Sequence, residues 1–208
     1  MDELAMHARA VDGCSQYRLQ GGAPLLQGAA VRPPEIHDDL RNALAAVVAI
    51  VRGHDPLHGR VRLQKLAYLL QQTRFQPLER VRFAYHHYGP YSDELAGMLD
   101  QAVASGLVKE QEHTTAEQRR QFTYAVDESH GDLRLLGLTP EQQRALAAFL
   151  RATKHAHWRT LELAATVVYL ERHSQLDRSR ATARALTLKP ACADYQPQAA
   201  QLLSGLGL

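Results

Sequence analysis

Arg60-Val61-Arg62-Leu63-Gln64-Lys65-Leu66-Ala67-Tyr68-Leu69-Leu70 is the stretch from which the rest of the 208-residue chain is read outward. Leu63, Leu66, Ala67 and Leu70 stand at i, i+3, i+4 and i+7, one face of a helix. The spacing predicts a helix over Arg60–Thr73, with Tyr68 and Leu69 widening its apolar stripe. Downstream the period changes. Val81, Phe83 and Tyr85 alternate with Arg82, Ala84 and His86, the pattern of a half-buried strand. Tyr88-Gly89-Pro90-Tyr91-Ser92 follows, and helix is disfavoured at Gly89 because the residue before proline avoids the α region. Ser92 suits an N-cap, and Asp93 and Glu94 suit the first turn of the helix it opens. That helix runs through Leu95, Met98, Leu99, Ala102 and Val103 and closes at Ser105-Gly106. Leu107–Glu112 and Gln121–Val126 read as two strands joined by a polar connection. Helix, strand, exposed loop, strand predicts a winged-helix layout with residues 113–120 as the wing.

Working upstream, Leu40, Leu44, Val47, Val48 and Val51 form the stripe of a helix over Asp38–Arg52, stopped by Gly53 and Pro56. Residues 1–34, broken by Gly21-Gly22, Pro24 and Pro33-Pro34, read as a flexible N-terminal extension with a short helix near Met1–Val11. Working downstream, Thr139-Pro140-Glu141-Gln142 is a capping box with proline at the first helical position. Three more helices are expected near 157–173, 177–189 and 197–206. The fold class is therefore mainly α with a small β wing: a winged-helix-like domain over 35–130 packed on a C-terminal helical region over 131–208.

Composition narrows the function classes. The chain is 45 % hydrophobic and 22 % charged, which fits a globular protein and not a disordered one. No apolar run approaches the ~20 residues needed to span a bilayer, and MDELAMHARA lacks the apolar core of a secretory signal. Two cysteines, Cys14 and Cys192, at opposite ends fit free thiols in a reducing cytoplasm. No membrane association is expected.

The net charge is only +2, but it is unevenly placed. Residues 60–82 carry Arg60, Arg62, Lys65, Arg74, Arg80 and Arg82 against Glu79 alone. With Arg119 and Arg120 on the wing, these are the candidate contacts for a partner or for DNA. The competing account is a solvated helix face, with Lys65 lying over apolar surface and Tyr68 filling the core edge with a wet hydroxyl. Tyr88 and Tyr91, with Tyr85, His86 and His87, form an aromatic and imidazole cluster. It suits either a partner anchor, a base-stacking platform or a core edge.

Catalytic signatures are lacking. There is no GxSxG, no phosphate-binding glycine loop and no HExxH, and no catalytic residue, metal ligand or cofactor is assigned. Eleven histidines include His54 and His58 at i, i+4, but Pro56 places them in a turn. Glu162, alone on an apolar helix, is expected to form a structural ion pair, with Arg159 and His173 as candidate partners.

Three pieces then stand together: Arg62–Leu70, Tyr88–Leu95 and Ser105-Gly106-Leu107-Val108. They resemble the small bacterial YwgA-like proteins and, more widely, the Panacea-domain proteins, which are SocA-like antitoxins and adaptors. The resemblance covers about residues 38–208. Trp158–Thr166, Tyr169-Leu170 and Leu188-Lys189-Pro190 favour the YwgA side. It implies a non-catalytic regulator that binds another protein, a toxin or a complex subunit. The apolar C-terminus, Leu202–Leu208, also suits a chain that is itself a structural subunit of a larger complex, such as a phage-defence assembly. The alternative is a winged-helix transcriptional regulator that binds duplex DNA. A homodimer is compatible with either.

Overall fold

The sequence of apolar and capping residues is realised as seven helices and five short strands among the described residues of a computed structural model, 36–114, 118, 120–126 and 137–208. Side chains are described from Asp39. The N-terminal extension, the short helix expected there, Cys14 and Arg119 lie outside the described residues. Helices α1 (Ile36–Gly53), α2 (Arg60–Gln72) and α3 (Asp93–Ala104) alternate with β1 (Leu57–His58), β2 (Ala84–His86) and β3 (Gly89–Tyr91). Then come β4 (Val108–Thr114), β5 (Arg120–Val126), α4 (Pro140–Thr153), α5 (Trp158–Ser174), α6 (Arg178–Leu188) and α7 (Gln196–Gly205). The chain is mainly helical with a small antiparallel sheet.

Two helices are buried on more than one face. In α1 every residue from Ala45 to Val51 is buried, not only the expected stripe, while Leu40 is exposed. In α5 every residue from Thr160 to Val168 is buried. A helix apolar all round belongs in the middle of a core. Helix α2 packs against both, and its residues Leu63 to Leu70 are all buried. Around α5 lie α6, α7 and a 3-10 segment, Pro190–Tyr195, and Pro34–Leu208 forms one compact unit.

Strands β4 and β5 pair antiparallel from Val108 opposite Val126 to Thr114 opposite Arg120, and β1 adds to the free edge of β5 with Leu57 opposite Tyr124. The strand expected over residues 81–86 is shorter, because Val81 and Phe83 turn into the core instead. The Gly89-Pro90 reversal is itself a strand: β2 and β3 form a hairpin with Tyr85 opposite Pro90 and His86 opposite Gly89. His87 and Tyr88 make its two-residue turn, and Gly89 takes φ +88°, a left-handed value that favours glycine. Neither this hairpin nor β1 is visible in a period-2 reading, since a strand of two or three residues has no period to show.

The caps follow the sequence. Ser92 Oγ accepts from Leu95 N at 3.2 Å, and Thr139 and Gln142 satisfy each other in a complete capping box. Ser92→Ala removes one such acceptor from a buried helix start and is expected to lower the unfolding free energy by about 1 kcal/mol, measured by urea denaturation.

Candidate functional site

The motifs singled out in the sequence meet at one buried place. Lys65 projects from the middle of α2, and its ammonium donates to the Pro90 carbonyl at 2.7 Å. One residue earlier, Gln64 holds the Ser92 backbone with both ends of its amide: Nε2 donates to Ser92 O at 2.9 Å and Oε1 accepts from Ser92 N at 2.8 Å. From the other side, Lys189, just after α6, donates to the His87 carbonyl. The β2–β3 hairpin is thus held at both ends of its turn by lysine ammoniums from separate helices.

Those two ammoniums share one carboxylate. Glu162, buried in α5, pairs with Lys189 at 2.7 Å and lies close enough to act on Lys65. The expected partners of Glu162, Arg159 and His173, do not reach it. Arg159 lies over the Trp158 ring, 5.0 Å from its centroid, and His173 stacks on Tyr169. Cys192 Sγ completes the cluster 3.7 Å from Glu162 Oε2. Gly89 fits because it has no side chain: a Cβ there would lie 2.9 Å from Thr166 Oγ1.

This cluster acts as a buried strut that seats the hairpin. Lys65 is 1 % exposed, and Glu162, Lys189 and Cys192 are buried. Burial pushes the Cys192 thiol up to about 11, with Glu162 adding to the effect, so the nucleophilic thiolate is scarce at neutral pH. The expectation that Lys65 belongs to an accessible binding face does not hold, because its ammonium is consumed inside. Tyr68 also differs from the expected wet core edge. It is buried, its hydroxyl has no hydrogen-bond partner, and its ring meets Phe83 edge-on at 5.1 Å and Tyr169 at 6.0 Å.

The remaining cations are dispersed. Arg60 bridges α2 to α3 and β4 through Asp100 at 2.8 Å and Glu110 at 2.9 Å, and its Nε donates to Tyr124. Tyr124 and then Arg60 hold the Glu110 carboxyl below the usual range. Arg80 pairs with Asp39 at 2.7 Å, and Arg120 pairs with Glu112 across β5 and β4. Arg74 and Arg82 are exposed and line one cleft at the C-terminal end of α2 with Glu79 and Arg172. Arg62 faces a different cleft, against the turn between α4 and α5. The single cationic face suggested by the charge count of residues 60–82 is not formed.

The aromatic cluster divides in the same way. Tyr91 is half-buried beside His86, with ring centroids 5.1 Å apart. Tyr88, at the hairpin turn, is 61 % exposed and faces the Lys189 ammonium. Tyr85 is 37 % exposed and leans on Tyr169.

Over 122 residues the chain is 26 % identical to the uncharacterized protein YwgA of Bacillus subtilis (strain 168), a match taking in 54 % of this chain and 65 % of that protein. The chain is similar to YwgA. Less than two-thirds of YwgA's own length is matched. No protein-family model matches the chain.

Two ammoniums against one carboxylate leave Lys65 under-compensated. Burial pushes it down to about 8, reinforced by Lys189 and opposed by Glu162, against about 10.4 in an unfolded chain. Between those values the unfolded state holds more protons, so this contribution to stability is full above about 10.4 and is lost as pH falls through about 8. The unfolding free energy of the wild type minus that of Lys65→Met is expected to rise by about 3 kcal/mol from pH 7 to pH 10.4. A flat difference across that range in paired denaturant titrations contradicts this account.

Proposed function

We propose that this chain is a non-catalytic regulatory protein of winged-helix build that recognises another protein, of the antitoxin or adaptor kind that the Panacea-domain resemblance implies. The element order supports the winged helix: α1, β1, α2, α3, β4 and β5 come in that order, with the β2–β3 hairpin inserted between α2 and α3, and the sheet runs β1-β5-β4. In this reading β4 and β5 are the strands that carry the wing.

The observation that carries protein recognition is an apolar groove between the β2–β3 hairpin and α6. Tyr85 and Leu188, at 37 % and 39 % exposure, form its lips, and Tyr169 and Leu176 lie within a volume of about 680 Å³. Exposed tyrosines on a rigidly braced element are the residues from which interface hot spots are built. Arg184, which has no ion pair among the described residues, sits on the rim. The groove therefore suits an apolar segment with acidic flanks, in keeping with a toxin or a complex subunit.

The alternative, a winged-helix DNA-binding regulator, has the cations of α2 and the wing in its favour. Electrostatics weigh against it. A helix laid in the major groove approaches a dense line of phosphates, and α3 carries Asp93, Glu94 and Asp100 with no lysine or arginine.

The tagged chain expressed in its native host is expected to co-purify with one protein in stoichiometric amount. The Tyr85→Ser, Leu188→Asp double variant should retain the native circular dichroism and lose that protein, at a cost of about 2 kcal/mol or more. A wild-type preparation that repeatedly emerges alone, or a variant that keeps the partner, overturns the reading. Retarded migration of duplex DNA at low salt would favour the alternative.

A further inference from the structure

A second concave site lies away from the groove and is independent of the protein-binding reading. It opens where the first turn of α2 and the turn after α1 face the loop between α4 and α5, with a volume of about 660 Å³. Small-molecule sites span ~300–1,000 Å³. Its charged lining is one-sided. Arg62 and Lys154 are the unengaged cations, His58 and His155 add imidazoles, and Asp55 is the one acid among the lining residues.

Among the described residues nothing answers the two cations of this cleft, whereas several arginines elsewhere are spent on carboxylates. Arg60, Arg80, Arg120 and Arg178 each face a carboxylate. Arg62 and Lys154 make no ion pair among the described residues. Arg62 is half-buried, and desolvation pushes its pKa down with no acid to offset it. A guanidinium stripped of part of its water and left unpaired in a concavity gains most from an anion with fork-like oxygens, for which phosphate is the best match.

The rim supplies a second kind of recognition. Trp158, the sole tryptophan of the chain, opens α5 at the mouth of the cleft and is 47 % exposed. The Arg159 guanidinium lies 5.0 Å from the centroid of its ring, and the exposed part of the indole offers a stacking surface to a planar ring. A bare phosphate would leave this indole unused, and an uncharged ring would leave Arg62 unanswered.

We propose that this cleft binds a nucleotide, with its phosphates against Arg62 and Lys154 and its base against Trp158. The ligand is small, because the site is a concavity and not an extended groove.

The test uses the full chain with three probes: ATP, inorganic pyrophosphate and adenosine. Fluorescence of Trp158 reads the site directly, since no other tryptophan contributes, and titration calorimetry reads affinity. ATP is expected to change the fluorescence saturably and to bind at least ~10-fold more tightly than either fragment. Arg62→Gln should weaken ATP by ~10-fold or more without changing thermal unfolding, because the Arg62 side chain makes no ion pair among the described residues. Lys154→Gln, at the exposed end of α4, should weaken it as well and serves as the second variant should Arg62→Gln fold poorly. Trp158→Leu should bring ATP down to the level of pyrophosphate. The absence of saturable ATP binding, or equal ATP affinity in wild type and the cation variants, overturns the proposal. Equal binding of pyrophosphate and ATP by the wild type overturns its assignment of a base to Trp158.

Discussion

A carboxylate placed in the middle of a buried helix dictates much of this architecture. Glu162 sits in α5 among leucines, alanines and valines, and an unpaired charge there would cost several kcal/mol. Lys189 supplies the opposite charge at 2.7 Å. Reaching Glu162 fixes where α6 must end, since Lys189 is the residue at which the helix stops and Pro190 begins the next turn. The same ammonium donates to His87 O, so neutralising a charge in α5 also seats the hairpin. Lys65 performs the corresponding task from α2 through Pro90 O. Each lysine thereby satisfies a backbone carbonyl of a two-stranded hairpin that could not stand alone in water.

The side of the molecule that carries the β1-β5-β4 sheet solves a similar problem with arginine. Arg60 at the start of α2 joins α3, β4 and β5 through Asp100, Glu110 and Tyr124. A planar guanidinium with several donors serves three partners at once, where a lysine would serve as a single point charge. Helix α2 therefore carries a brace in its first turn and another at its centre. Half of the positive charge in residues 60–82 is structural: Arg60, Lys65 and Arg80 have partners within the fold, while Arg62, Arg74 and Arg82 line clefts.

This explains which parts of the molecule the sequence made readable. A clear 3.6-residue period or an explicit cap marks the start of a helix to within a residue or two, the period in α2 and the caps in α3 and α4. Glu162 stood out as the lone charge on an apolar helix, and a structural ion pair was the expectation. Its partner was not readable, because Lys189 lies 27 positions away beyond a whole helix, and no periodicity encodes how α6 folds back. Lys65 was misplaced for a related reason. A helical wheel puts it at the flank of the Leu63, Leu66, Leu70 stripe, which is exposed when one surface packs. Here α2 is covered by α1, α3 and α5 together, so the flank becomes interior. A charge count assigns residues to a segment and says nothing of which are spent internally.

The division between spent and unspent cations locates recognition better than charge density does. A paired arginine offers an incoming anion only an exchange, since its carboxylate must first be released. An unpaired one offers a net gain, larger where its water has already been removed. By that criterion Arg60 and Arg120, prominent in the sequence, are poor contacts, and Arg62 is a strong one. Its neighbours in the cleft, Lys154, His155 and Trp158, come from a loop ninety residues downstream, so the sequence gives no sign that they converge. The same reasoning separates the two concave surfaces. The groove beside Tyr85 and Leu188 presents apolar side chains with arginine at its rim, which suits the displaced water and broad contact of a protein segment. The cleft beside Arg62 presents cations in its lining and an indole at its mouth, which suits a compact ligand that is charged at one end and flat at the other.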